Sequence, residues 1–317
     1  MSEPTAVCPL DDLGLLSFRG PDCRKFLQGQ LSNDTGRLKA GALLRAGLHN
    51  PQGRTLAVLA LVTGPAGASA SAAASAAVSA AVSAEDEVLA VLPRELIASI
   101  SATLRRYVLR AKLTIADATP AHRLYGLAGG VAAGAAAGDG DGDGGPGCDL
   151  PGSYPYADTR TLLIARADAI APAGVPLARA RWRALDIAAG LPQLYLSTSG
   201  QFVAQMLNLD HVGAVAFDKG CYTGQEVIAR AHYRGRVKRR MQRFVSEQPL
   251  HLVPGDSAVL GDGRSMRVVE AVQREDGRCE FLAVAALPGA AAEAESAAAA
   301  APARIEASAL PLPYPID

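Results

Sequence analysis

Apolar residues recur along the chain at two spacings, and the switches between them predict the elements. Phe26, Leu27 and Leu31 share one side of a helix over Pro21 to Leu31, with Pro at its first turn. The run Leu43 to Leu48, the turn Asn50-Pro51-Gln52-Gly53 and the run Thr55 to Thr63 predict a β-hairpin. Val88 to Leu92 predicts a short strand, and Ile97, Ile100, Leu104 and Val108 predict a helix over Arg94 to Leu109. Further strands are expected at Lys112 to Ile115, Arg123 to Leu127 and Thr161 to Arg166. A second long helix, from about Leu177 to Ala189, carries Trp182 and stops at Gly190-Leu191-Pro192.

After about residue 236 the helical period disappears. Val237–Val245, Ala258–Gly261, Met266–Val272 and Glu280–Ala285 are short β-like runs between Gly, Asp and Pro turns, the spacing of a small β-barrel. Three tracts break the pattern: Ala/Ser/Gly at 64–84, Gly/Ala/Asp at 128–147 and Ala/Glu at 288–302. They hold too few large apolar side chains to offset the entropy of ordering them, and read as surface insertions.

Composition narrows the function classes. Thirty-one basic residues balance 31 acidic ones, so a globally basic nucleic-acid binder is excluded. No stretch has the large aliphatic content of a membrane span, and the N-terminus lacks the basic and apolar regions of a secretory signal. Five scattered cysteines (Cys8, Cys23, Cys148, Cys221, Cys279) contain no C-x-x-C pair, which argues against a zinc finger or disulfide framework. The expectation is a cytoplasmic protein without membrane association.

The chemistry concentrates in Asp218 to Arg240, DKGCYTGQEVIARAHYRGRVKRR. Val212 to Phe217 before it predicts a strand. Thr223 with Glu226 matches a capping box, ahead of a helix from Gly224 to Arg234 closed by Gly235. Cys221 then lies in a Gly-flanked turn (Gly220, Gly224) just before a helix N-terminus, two residues from Lys219. The helix dipole and the ammonium favour an anion there, which would lower the thiol from its free value of about 8.5. Spacing leaves two readings open: a reactive thiolate, or a small thiol packed under the turn. From Arg230 to Arg243 run seven basic residues (Arg230, Arg234, Arg236, Lys238, Arg239, Arg240, Arg243) and no acid, suited to an anionic tail, a phosphate or an RNA backbone, or else a solvated face.

Other motifs fail. Asp139-Gly-Asp-Gly-Asp-Gly imitates an EF-hand loop, but Leu150 stands where a bidentate Glu is required. The five histidines lack metal-helix spacing, and no metal ligand set is expected. Phosphate-loop, dinucleotide-binding and nucleophile-elbow patterns are absent.

At KGCYTGQE (Lys219 to Glu226) the chain resembles the YgfZ family, relatives of the glycine-cleavage T-protein. FLQGQLSND (Phe26 to Asp34), RYVLRAKLTI (Arg106 to Ile115), WRALDIAAGLP (Trp182 to Pro192), SGQFVAQMLNLD (Ser199 to Asp210) and the tail LPLPYP are also similar to that family. The resemblance implies an α+β, T-protein-like ring of two intertwined α+β domains plus a C-terminal β-barrel around a folate-sized channel. It places the domains at 1–116, 117–235 and 236–317. It further implies a cytoplasmic, tetrahydrofolate-binding accessory factor for assembly or repair of iron–sulfur proteins, indirectly supporting tRNA modification. Its partners would be folate and iron–sulfur proteins or their assembly factors, with weak tRNA contact.

The resemblance makes Cys221 the active thiol with Lys219 beside it, in a motif completed by Gly220, Tyr222, Thr223, Gly224, Gln225 and Glu226. Trp182 matches a tryptophan of the folate pocket, where it would stack on the pterin while Arg230 and Arg236 meet the carboxylates. Leu13 follows Asp11-Asp12 where some members carry Trp, making that lining position aliphatic. The T-protein's paired Asp after its hairpin turn is replaced by Leu56-Ala57, which argues against aminomethyl transfer. The alternative is a folate-dependent one-carbon (aminomethyl or methyl) transferase, which would require an acid–base carboxylate in the folate channel.

Overall fold

The apolar spacings resolve into three sheets and four helices in a computed structural model describing residues 5–63, 87–129, 152–235, 237–287 and 303–316. The tracts at 64–84 and 288–302 lie outside these residues, as do Cys148, Arg236 and all but Ala128 and Gly129 of the tract at 128–147. The chain divides into two units that alternate along the sequence: residues 1–30, 34–45 and 59–179, then 31–33, 46–58 and 180–317.

One sheet of the first unit runs in the order β10 (Val175–Pro176), β1 (Ala6–Pro9), β7 (His122–Ala128), β9 (Arg160–Arg166), β8 (Gly152–Ala157). Only the β10–β1 pair is parallel. A second sheet has the order β3 (Leu43–His49), β4 (Thr55–Thr63), β5 (Glu87–Pro93), β2 (Leu13–Arg19), β6 (Thr114–Asp117). Helix α1 (Cys23–Gln30) buries Cys23, Phe26 and Leu27, the side its spacing predicts.

Helix α2 (Ile97–Arg105) buries Ile97, Ile100 and Leu104, but it is shorter than the period suggests. It enters through a 3-10 turn at Arg94–Leu96 and ends before Val108, because the chain tightens into three-residue turns there. Tyr107 N–H bonds the Leu104 carbonyl and Val108 N–H that of Arg105. Leu109 is left 86% exposed, so no core remains for a further helical turn to cover.

The third sheet belongs to the second unit and closes most of the way into a barrel. Its order is β15 (Arg304–Ile305), β12 (Ser257–Leu260), β13 (Ser265–Gln273), β14 (Arg278–Ala286), β11 (Arg239–Pro249), β16 (Ala307–Leu310). The two edge strands, β15 and β16, are separated in sequence by Glu306 alone, so one residue joins the edges and few backbone groups stay unpaired. Strand β14 explains the unbroken apolar run near its C-terminal end. Cys279, Phe281, Ala283 and Ala285 enter the barrel core, while Leu282 and Val284 face a second core with Ile187, Phe202, Leu207 and Ile228. Both faces of the strand are buried.

Helix α3 (Arg179–Ala188) buries Trp182 and Ile187 and stops at Gly190, whose φ of +64° suits a residue without Cβ. The tail returns to it: the Tyr314 hydroxyl donates to the Gly190 carbonyl at 2.7 Å. Strands β1, β10, β15 and β16 have two to four residues each, too short to show alternation, and exist because a neighbouring strand pairs with them. Among the described residues no helix is long and apolar enough to cross a membrane.

Candidate functional site

The segment before the motif departs from the sequence expectation. Val212 to Phe217 is not a strand; its backbone groups find partners outside any ladder. Ala214 N–H bonds the Leu209 carbonyl at 2.8 Å and Ala216 N–H the Ser32 carbonyl at 2.9 Å. The buried Ser32 hydroxyl donates to the Ala214 carbonyl at 2.7 Å and accepts from Gly47 N–H at 2.8 Å, while the Asn33 amide donates to the Gly213 carbonyl. Two side chains of the FLQGQLSND segment therefore hold the approach to the motif in an irregular path.

The motif itself is a loop leading into α4 (Gln225–Tyr233). The capping box does not form. The N-cap is Gly224, with φ +81° and no side-chain cap, rather than Thr223. The reason is steric. A Cβ on Gly224 would lie 2.6 Å from the Asn50 carbonyl oxygen and 3.1 Å from both Gly53 Cα and His49 Cβ. A Cβ on Gly53, at φ +71°, would lie 2.7 Å from Val227 Cβ. The hairpin turn and the start of α4 meet backbone to backbone, and glycine on each side permits it.

Lys219 is a structural anchor here. Its ammonium donates to the Leu31 and Asn33 carbonyls at 2.7 and 2.8 Å and lies 5.1 Å from the Tyr222 ring centroid. Tyr222 is buried, and burial pushes its phenol up to about 12. Between these two fixed side chains Cys221 is exposed, whereas Cys8, Cys23 and Cys279 are all buried. Gly220 has open space where a Cβ would sit. Thr223 and Gln225 are partly buried, and Glu226 is exposed in the first turn of α4.

His49 lies beneath this joint. Its ring is 2% exposed, 3.2 Å from the Thr55 hydroxyl through Nδ1 and 6.4 Å from the Tyr222 ring centroid, and Nε2 has no partner. Desolvation lowers its pKa to about 3, so it is neutral at any ordinary pH. Sequence reasoning passed over it because a lone His at a strand end carries no motif.

The residues expected to bind folate are differently placed. Trp182 is 1% exposed, its ring enclosed. Leu13 is buried on β2 and lines a cavity of the first unit with Leu10, Arg94, Thr119 and His122; at about 70 Å³ it has room for a few waters, not a pterin. Arg230 is exposed on α4, and Arg236 lies outside the described residues. These side chains as arranged do not offer a ring-stacking surface. Ala57 is fully buried and Leu56 half-buried, so no carboxylate stands after the hairpin turn. Among the described residues no cluster of His, Cys, Asp and Glu could hold a metal.

No protein-family model matches the chain. It is 29% identical over 295 residues to the tRNA-modifying protein YgfZ of Enterobacter sp. (strain 638), covering 87% of this chain and 83% of that protein. The YgfZ proteins of Klebsiella pneumoniae (strain 342) and Shigella sonnei (strain Ss046) are 29% and 28% identical over the same shares. Among solved structures, the glycine cleavage system aminomethyltransferase T from Bartonella henselae superimposes with a TM-score of 0.59 at 14% identity, covering 89% of this chain and 78% of that one. In sequence the chain is similar to the YgfZ tRNA-modifying proteins, and it has the α+β fold of the aminomethyltransferase T-protein.

Proposed function

We propose that the chain is an accessory factor of tRNA modification that acts by supporting the assembly or repair of iron–sulfur proteins, with Cys221 as its active thiol. The relatives' description as tRNA-modifying proteins supports the process. The mounting of Cys221 supports the residue: Lys219 and Tyr222 are tied down on either side, and the sulfur between them is left at the surface. A thiol kept only for packing belongs inside, as the three other described cysteines are.

Cys221 can serve as a nucleophile or as a transient soft-metal ligand. One thiolate does not hold a cluster, and no group of three or more His, Cys, Asp or Glu is placed to hold a metal among the described residues, so further ligands would come from the client protein. A folate enters this reading through the family likeness and the shared fold. Because the enclosed Trp182 and the small Leu13 cavity do not fit a pterin, no chemical step is assigned to it. One-carbon transfer has less support, since Leu56-Ala57 supply no acid or base.

The test is complementation of a strain lacking its own YgfZ, reading iron–sulfur enzyme activity and the tRNA modifications those enzymes install. Cys221→Ala and Cys221→Ser are expected to abolish rescue with unchanged thermal unfolding; full rescue by either removes the thiol from the mechanism. Calorimetric titration with tetrahydrofolate tests the ligand separately, and absence of heat at millimolar ligand removes folate.

A further inference from the structure

The basic run after the motif sorts into two groups. Arg240 is buried and makes a two-pronged pair with Asp210 at 3.0 and 3.1 Å while donating to the Gln205 carbonyl. Arg243 pairs with the buried Glu280 at 2.7 Å, and Lys238 and Arg239 also have partners. Arg239, Arg240 and Arg243 bond groups of the barrel and its approach. Arg230 and Arg234 are exposed, and neither makes an ion pair or side-chain hydrogen bond among the described residues. Arg230 is in the last turn of α4 and Arg234 is its C-cap, whose N–H bonds the Arg230 carbonyl at 3.0 Å, and Tyr233 is the last helical residue between them.

Tyr233 is 68% exposed, but it is not loose. It meets the His232 ring edge-on at a centroid distance of 4.7 Å, and His232 stacks on Phe217 at 3.7 Å with the planes 13° apart. Phe217 is partly buried against the core of the second unit, which anchors the three-ring cluster. The acid on α4, Glu226, sits in its first turn, one turn before Arg230, and forms no ion pair with it among the described residues. Basic residues at a helix C-terminus suit the dipole, yet that role does not call for an anchored, exposed tyrosine between them.

We propose that this face, Tyr233 on its Phe217–His232 support with Arg230 and Arg234 alongside, binds unpaired nucleotides of RNA. A flat ring held at the surface offers a base a stacking partner, and two unpaired guanidiniums meet the flanking phosphates. A purely acidic peptide would use the guanidiniums but leave the ring without a role. The choice of RNA as the polyanion rests on the tRNA-modification reading above; the face itself does not depend on Cys221.

The experiment is fluorescence anisotropy of the full-length protein with a labelled single-stranded oligoribonucleotide, at about 50 and about 200 mM salt. Unlabelled tRNA, an RNA duplex and polyglutamate serve as competitors. Tyr233→Ala is expected to weaken binding by roughly 5- to 100-fold. Arg230→Gln with Arg234→Gln should weaken it and flatten the log–log salt slope by about 1.4, two single-strand phosphate contacts. All three positions are exposed, and unchanged circular dichroism and thermal unfolding verify the fold. Absence of binding at low salt, indifference to both variants, or displacement by polyglutamate as readily as by tRNA overturns the proposal. Cys221→Ala should bind RNA as the parent does, so a failure here and a failure of the thiol mechanism are read separately.

Discussion

Acid should loosen the joint between the β3–β4 turn and the motif helix through one side chain. His49 is neutral in the folded protein with its pKa lowered to about 3, against 6.5 for the unperturbed group. Between those values the unfolded chain carries one proton more than the folded one, so stability rises with pH across this window. The contribution is fully present above about pH 6.5 and is lost as pH falls, at up to about 1.4 kcal/mol per unit. The loss is about 2 kcal/mol by pH 5 and approaches about 5 kcal/mol near pH 3, a large part of a typical domain's stability. Protonation would place a cation, 2% exposed and with no acceptor at Nε2, next to the Gly224 contact that positions α4. Urea unfolding of the parent and His49→Gln at a series of pH values isolates the effect, because every other titrating group is common to both. The parent's advantage should shrink by about 2 kcal/mol between pH 7.5 and 5. A difference that stays flat over that range would refute the neutral, enclosed imidazole on which the calculation stands.

Other consequences follow from the same geometry. Gly224→Ala, at φ +81° with a Cβ driven to 2.6 Å from the Asn50 oxygen, should cost about 2 kcal/mol or more in urea unfolding. Gly220→Ala, with open space at that position, should stay within about 0.5 kcal/mol of the parent. Brief alkylation of the native protein followed by peptide mapping should label Cys221 and spare Cys8, Cys23 and Cys279; equal labelling would contradict the burial pattern. Asp210→Ala should destabilise by about 3–5 kcal/mol, because Arg240, with a side chain only 8% exposed, loses its counter-charge; a near-neutral result would mean that water reaches the guanidinium.

Much of the scaffold was legible because its signals are local. Two apolar runs, Leu43 to Leu48 and Thr55 to Thr63, flank Asn-Pro-Gln-Gly, and β3 and β4 pair there; Ile97, Ile100 and Leu104 are spaced for one helix face and are buried together. The motif, with Cys221 just before a helix, was legible from its glycines and the apolar period after it. The short strands β10 and β15 were not, since two residues carry no period and pair only because a neighbour is present.

By itself the sequence determined the hairpin, most of the helices and strands, the barrel-like end and the loop-to-helix form of the Lys219–Glu226 segment, because turn chemistry and side-chain period act over a few residues. The tertiary structure alone decided what each charged or polar group is for. Lys219, expected beside a reactive thiol, spends its ammonium on two backbone carbonyls; Thr223, expected to cap α4, yields to Gly224 because the hairpin turn leaves no space for a Cβ. Among the described residues, Arg240 and Arg243 are set apart from the exposed Arg230 and Arg234 only once Asp210 and Glu280 are brought to them from other parts of the chain. Partners separated by tens of residues leave no mark on local spacing, and desolvation, which decides the cost of every unpaired charge, exists only after the chain has folded.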